Sequence, residues 1–229
     1  MKEQGDAIDR YVQEVLERLP PTATGRARIE RDLRAHLREA TDASGFPREA
    51  VREMGPVEET AAGYAESLDL TPVSLADRTG AFLVDVGLGA LLSGLVLLIG
   101  PGALGNGLGM GLLILLAAVA GAMALLYFPV LEERYGQTLG KRLFGICVAR
   151  DDGLRPELWR TVVRRLPLFF EFFLLDALFA PFTEKRQRAF DIVAGTIVVP
   201  GDEWGGKGAG WLTALLLWAI PASLVLLAS

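Results

Sequence analysis

The sequence has one cysteine, Cys147, and one histidine, His36, among 229 residues. A single cysteine excludes an internal disulfide, and one histidine with one cysteine lacks the ligand spacing of a zinc site. Positive charge is not in excess either, because 23 Lys and Arg stand against 28 Asp and Glu. This balance argues against a nucleic-acid partner. The sequence also lacks a nucleophile paired with a base and a credible phosphate loop, so we expect no enzyme activity and no cofactor.

Long hydrophobic runs, in contrast, are prominent. Hydrophobic residues make up 51% of the chain, the mean hydropathy is +0.34, and four runs stand out, at residues 81–100, 108–131, 166–182 and 211–228. The first run is twenty residues long and contains one charge, Asp85. At about 1.5 Å per residue its length matches a hydrocarbon core of about 30 Å, so it predicts a membrane-spanning helix.

The four runs together predict an all-α membrane protein. We expect a transmembrane helical hairpin from the first two runs and a C-terminal transmembrane helix from the last. Residues 132–165 carry eight Lys or Arg, which the positive-inside rule places in the cytosol together with the N-terminus. The predicted location is therefore the cell membrane, as a multi-pass protein with the lipid bilayer around it.

The third run, residues 166–182, is open to two interpretations. It either spans the bilayer or re-enters on the same side. We favour the re-entrant form, because seventeen residues are at the short limit for a span. That form also keeps the basic residues Lys185, Arg186 and Arg188 in the cytosol, as the charge rule requires.

Residues 1–70 predict a small cytosolic helical domain. Apolar residues recur at three- and four-residue steps, and breaks at Pro20, Gly45 and Gly55 divide the segment into four helices. All of the excess acidity lies here, since residues 1–70 hold 10 Lys and Arg against 15 Asp and Glu.

The remaining chain is divided by composition. Residues 71–77 form a linker, residues 78–199 the membrane module, and residues 200–229 a polar linker followed by the last helix. Inside the module, LFGICVA at residues 143–149 precedes the turn signal Asp151-Asp152-Gly153. We expect this strand to pair with AGTIVV, residues 194–199, in a short cytosolic β ribbon.

Three segments within residues 8–66, YVQEVLERLP, IERDLRAHLREA and EMGPVEETAAGYAE, resemble the bacterial HAAS-type signalling domain. The resemblance implies a cytosolic protein-binding role without fixing the partner, and it does not imply catalysis.

Three further motifs resemble the RDD family of bacterial membrane proteins. They are RTGAFLVD, GQTLGKRLFGICVARDDG and RQRAFDIVAGTIVV, starting at residues 78, 136 and 186. The arginine and two aspartates that name the family fall on Arg78, Asp85 and Asp191. The resemblance implies a poorly characterised membrane module for which transport, including sodium/proton exchange, has been suggested.

The candidate site consists of five charged residues: Arg78, Asp85, Glu171, Asp176 and Asp191. In a structural interpretation, Arg78, Asp85 and Asp191 form an ion cluster that fastens the first helix to the segment after the third run. Removal of one partner would then cost a few kcal/mol. In a functional interpretation, Asp85 with Glu171 or Asp176 binds a cation or proton, because carboxylates inside membranes commonly serve as ion sites.

Two functions follow from these interpretations. The first is a membrane-anchored regulatory or interaction module, whose residues 1–70 bind a cytosolic protein partner. The alternative is a small oligomeric transporter or cation/proton antiporter that uses the intramembrane carboxylates. A homo-oligomer is expected for the transporter, because three or four membrane segments in one copy enclose little pathway.

Overall fold

The computed structural model describes residues 2–99, 111, 114, 115, 118, 126–169, 173–204 and 206–228. Side chains are described for residues 7–91, 111, 114, 115, 118, 126–167, 175–204 and 206–219. This part of the chain is helical apart from connecting segments and a two-stranded sheet.

Four helices form the N-terminal domain, as the sequence breaks predict. They are α1 (Lys2–Arg18), α2 (Arg26–Ser44), α3 (Pro47–Met54) and α4 (Val57–Ala65). Gly45 ends α2 with a φ of 76°, a left-handed conformation that favours glycine. Pro47 then occupies the first turn of α3, where its missing N–H has no helical partner to lose.

The apolar stripes of these helices face one another. Buried residues of this core include Val12, Val15 and Leu19 of the first segment and Leu33 and Leu37 of α2. Helical spacing of apolar residues places them on one face, and burial of that face stabilises the four short helices.

In its described residues, the rest of the chain supplies shorter helices, two strands and two long helices. In order these are α5 (Leu75–Ile99), α6 (Phe128–Tyr135), α7 (Leu139–Leu143), β1 (Ile146–Arg150), α8 (Leu158–Val163), α9 (Leu166–Phe169), α10 (Phe173–Leu178), a 3-10 turn (Ala180–Phe182), α11 (Ala189–Val193), β2 (Thr196–Pro200) and α12 (Gly206–Ala228).

The two strands form the predicted antiparallel ribbon, with Ile146 opposite Pro200 and Arg150 opposite Thr196. Because side chains alternate across a strand, the ribbon has two buried faces. One face joins the core of the N-terminal helices, through Cys147, Ala149, Ile197 and Val199. The other joins a second core with α5 and α12, through Ile146 and Val198. The ribbon therefore lies between the helical domain and the long helices.

The two long helices run side by side in the same direction. Near their starts, Lys207 Nζ donates to Asp77 Oδ2 at 2.7 Å. Further along, Trp218 Nε1 donates to the carbonyl oxygen of Leu83 at 3.1 Å. Phe144 packs at this junction, where a Cβ at Gly210 would come within 2.8 Å of its ring.

Within the described residues, no helix has both the length and the hydropathy that crossing a bilayer requires. The prediction of an all-α membrane protein with a transmembrane hairpin and a C-terminal transmembrane helix is therefore wrong. In α5, Asp77, Arg78 and Asp85 are all engaged by polar partners from elsewhere in the chain, so this helix is not continuously apolar.

The described residues of the third run form no spanning helix either. Its described elements are α9, α10 and the 3-10 turn, of which the longest has six residues and a length of about 9 Å. Most of the second run, residues 108–131, lies outside the described residues.

Candidate functional site

A buried carboxylate, Asp191 in α11, gathers three arginines. Arg164 Nη2 lies 2.9 Å from Asp191 Oδ1, and Arg188 Nη2 donates to the same oxygen at 3.2 Å. Arg78 Nη2 donates to Oδ2. Because Arg78 lies in α5, Arg164 directly after α8 and Arg188 directly before α11, this one carboxylate ties three elements together by charge-assisted hydrogen bonds.

A second buried carboxylate, Glu132 in α6, lies in a similar environment. Lys141 Nζ donates to Glu132 Oε1 at 2.6 Å, and Arg165 Nη2 donates to the same oxygen. Arg164 Nη1 lies 3.5 Å from the other oxygen, Oε2. Arg164, which is 1% exposed, therefore links Glu132 to Asp191.

The ion pairs of Asp191 and Glu132 form one network, because Arg164 contacts both carboxylates. Asp176 in α10 lies at its far end. Its Oδ1 accepts a hydrogen bond from the backbone N–H of Phe190 at 2.8 Å. Its Oδ2 lies 3.6 Å from Arg188 Nη1, an ion-pair distance that is too long for a hydrogen bond. Arg188 therefore lies between two carboxylates, Asp176 and Asp191.

Asp85 is buried close by but has different partners. Its carboxylate accepts hydrogen bonds from Thr138 Oγ1 at 2.6 Å, from the backbone N–H of Gly140 at 2.9 Å and from the Tyr127 hydroxyl at 3.0 Å. A Cβ at Gly140 would overlap the carbonyl oxygen of Ala81, so only glycine allows α7 to approach α5 this closely. The role of this contact is to join the two helices through neutral donors.

The electrostatics of the network favour the ionised forms of Asp191 and Glu132. Burial alone would raise the pKa of Asp191, but the charges of Arg164, Arg188 and Arg78 hold it well below its usual range. Burial would likewise raise the pKa of Glu132, and the charges of Arg165, Lys141 and Arg164 again outweigh it. For Lys141, burial lowers the pKa, which the charge of Glu132 opposes.

A cavity of about 350 Å³ opens beside the network. Five cationic side chains of the network line it: Arg78, Lys141, Arg164, Arg165 and Arg188. Asp85 and apolar residues of α5 and β2 line it as well. Within the described residues, no group of three or more histidine, cysteine or carboxylate side chains offers a metal site.

The structure brings some of the predicted site residues together. Arg78 and Asp191 are in contact, and Asp176 reaches Asp191 through Arg188. Asp85 faces the same cavity as Arg78, but the groups that bind its oxygens are Thr138, Gly140 and Tyr127. Glu171 lies outside the described residues.

Five further members of the network were not predicted as site residues: Arg188, named only as a basic residue after the third run, Glu132, and the three cations Lys141, Arg164 and Arg165 of residues 132–165. In the sequence the three cations count only as part of the basic segment between two apolar runs. A recognisable signal was the Arg164-Arg165 pair directly before an apolar run, since a charge in that position needs a partner if it is buried. Glu132, at the end of the second run, is such a partner.

The fold and this network define a helical protein in which a two-stranded ribbon and a cluster of buried ion pairs hold the elements together. The chain belongs to the RDD family, whose model matches residues 72–195, just over half of the 229 residues. Membership indicates a membrane protein of unknown specific function.

No curated protein and no solved structure matches the chain. The family match begins at residue 72 and leaves out the N-terminal helices. The resemblance of residues 8–66 to the HAAS-type domain therefore stays a prediction.

Proposed function

We propose that this RDD-family protein is a membrane-associated regulatory module, non-catalytic, whose N-terminal helical domain binds a cytosolic protein partner. The observation that supports this most is the continuous core between the helical domain and the ribbon. Leu16, Leu19 and Ala23 belong to the same buried cluster as Ile197 and Val199 of β2.

Hydrogen bonds strengthen this junction. The backbone N–H of Arg155 donates to the carbonyl oxygen of Arg18 at 2.8 Å, and that of Asp202 donates to Thr22 at 2.8 Å. Since α11 leads directly into β2, the helical domain is joined through a single strand to the element that carries Asp191. We therefore expect a partner bound to the helices to influence the ion-pair network through β2.

The surface around Phe46 is where we place the partner. Phe46 lies between α2 and α3 with 59% of its surface exposed, and exposed charges of both signs follow it in α3: Arg48, Glu49, Arg52 and Glu53. An exposed aromatic side chain with a polar rim is typical of the anchor residue of a protein interface.

The test is photo-crosslinking in cells of the full-length chain, with a crosslinking amino acid at position 48. We use the full chain because isolated residues 1–70 would expose the face that packs on β2. Phe46→Ala should reduce the yield of a specific adduct about tenfold or more, as for loss of a typical anchor. Tyr135→Ala, which removes an aromatic ring that is 52% exposed outside this domain, should leave the yield unchanged. Absence of an adduct, or equal loss in both variants, would contradict the proposal.

The transporter alternative also stays a prediction, and the site geometry favours it less. Asp85 already accepts three hydrogen bonds, and Asp176 is bonded to Phe190 and lies near Arg188. A cation would have to displace these donors. Ion-driven pH changes in vesicles that disappear with Asp85→Asn would favour the transporter over the regulatory module.

A further inference from the structure

The cavity beside the ion-pair network is not explained by the binding of a partner to the N-terminal helices. Its volume of about 350 Å³ lies within the range of small-molecule sites, about 300 to 1,000 Å³. Its polar wall comes from four separate elements, because Arg78, Lys141, Arg164 and Arg188 approach it from different parts of the fold.

The charges around the cavity do not balance. Four arginines line it, whereas the carboxylates in contact with them are three, Glu132, Asp176 and Asp191. Adding Lys141 and Asp85, which also line the cavity, leaves the excess of basic over acidic groups at one. Arginine stays protonated in proteins, and a buried charge without a counter-ion is costly. An anion in the cavity would restore the balance.

One buried donor also has no acceptor among the described atoms. Arg165 Nε makes no hydrogen bond, although its side chain is only 5% exposed, whereas Arg164 Nη1 lies 3.5 Å from Glu132 Oε2. Both arginines line the cavity. Buried guanidinium nitrogens are normally satisfied, so Arg165 Nε indicates the position of a missing acceptor.

Apolar residues also line the cavity: Leu75 and Leu83 of α5, Ala177 of α10 and Val198 of β2. A ligand that suits both the charged and the apolar lining has an anionic group with several acceptor oxygens next to an apolar portion. Guanidiniums that converge from several directions suit the tetrahedral oxygens of phosphate better than a planar carboxylate.

We propose that this cavity binds the phosphate group of an anionic ligand, with Lys141, Arg164 and Arg165 as the central donors. The phosphate belongs either to an anionic phospholipid, whose acyl chain would contact the apolar lining residues, or to a soluble phosphate compound. Both sources present the same oxygens to the cations. This site is separate from the Phe46 surface, so failure of one proposal leaves the other intact.

The experiment compares the two sources on the purified full-length chain in neutral detergent. In one arm, inorganic phosphate is titrated calorimetrically at constant ionic strength. In the other, native mass spectrometry counts bound phosphatidylglycerol, with phosphatidylcholine as the zwitterionic comparison. Saturable binding of one molecule per chain in either arm is the expected result for the wild type, and the arm that saturates at the lower concentration identifies the source.

The variant that tests the location is Lys141→Met. It removes one cation of the cavity while Glu132 keeps Arg165 and Arg164 as partners. Loss of one charged hydrogen bond should weaken binding about tenfold. The matched control is Arg142→Met, because Arg142 is the next residue in sequence and its guanidinium lies over the ring of Trp204 at 4.5 Å, away from the lining of the cavity. The control should change affinity less than about twofold.

Three results would overturn the proposal. The first is a wild-type chain that saturates with neither inorganic phosphate nor phosphatidylglycerol, which is decisive even if Lys141→Met does not fold. The second is equal uptake of phosphatidylcholine and phosphatidylglycerol without phosphate binding. The third is binding that Lys141→Met and Arg142→Met weaken to the same extent.

Discussion

The N-terminal domain and the segment from α5 to β2 contain ion pairs of the same length in opposite environments. Arg18 Nη2 lies 2.6 Å from Glu58 Oε1, with side chains 56% and 63% exposed. Lys141 Nζ also lies 2.6 Å from Glu132 Oε1, with side chains 10% and 0% exposed. Distance therefore does not distinguish the two pairs, whereas the solvent around them does.

The difference in exposure determines what each pair contributes. Water screens an exposed pair, which typically contributes about 0 to 1 kcal/mol. A buried pair has lost its hydration, so its formation adds little net stability, but removal of one partner leaves a charge that nothing compensates. The N-terminal domain thus depends on its apolar core, and the RDD segment depends on the completeness of its network.

The largest effect is expected for Asp191→Asn. This change leaves Arg78, Arg164 and Arg188 without their shared carboxylate, so we expect the free energy of unfolding to fall by about 3 to 5 kcal/mol. Chemical denaturation of the full-length chain at neutral pH measures this difference.

A matched change in the other region provides the control. Asp9→Asn removes the charge of a carboxylate that is 64% exposed and pairs with Arg34. The Arg34 side chain is 34% exposed. We expect a loss of less than about 1 kcal/mol. If Asp191→Asn cost as little as Asp9→Asn, the contrast between the two regions would be wrong.

An intermediate effect is expected from acid. The pKa values of Asp191 and Glu132 lie below their ordinary values of 3.8 and 4.5 because neighbouring cations favour the ionised forms. The unfolded chain therefore takes up protons first as the pH falls. The stability that these carboxylates contribute is present in full above about pH 5 and is lost progressively below it, by about 1.4 kcal/mol for each unit of lowered pKa.

Urea denaturation between pH 6 and pH 3 measures this loss. Asp191→Asn should show a shallower pH dependence than the wild type, since one of the two carboxylates is gone. An identical dependence in both proteins would show that Asp191 does not have the lowered pKa.

The sequence predicted the local elements well and the buried charges poorly. The spacing of apolar residues and the chain breaks were sufficient to predict α1 to α4. A residue such as Leu33 lies on an apolar face that the sequence of its own helix defines. The pairing of β1 with β2 also followed from two short apolar segments. The prediction of spanning helices was wrong. It rested on the length and composition of runs such as residues 81–100, and these do not reveal that Asp85 is hydrogen-bonded to Thr138 and Gly140 of another element.

The network itself was predicted only in part for a related reason. Arg78 and Asp191 were recognisable from the family motif, whereas Glu132 and Arg164 lie near the two ends of the basic segment, residues 132–165, that the charge rule places in the cytosol. Their burial depends on how α6 and α8 pack, which is a long-range property. Sequence patterns indicate which face of a helix is apolar, but not which other element packs against that face.

The smallest effect is expected for Glu58→Gln, which removes the carboxylate of the exposed pair with Arg18. Arg18 keeps its hydration when Glu58 is lost, because more than half of its side chain is in contact with water. We therefore expect a change in the free energy of unfolding of less than about 1 kcal/mol, and a smaller change at high salt, where the wild-type pair is already screened. Denaturation at low and high ionic strength tests both statements. A loss comparable to that of Asp191→Asn would mean that Glu58 lies in a far less hydrated environment than its 63% exposure indicates, and exposure could then no longer explain why the two regions differ.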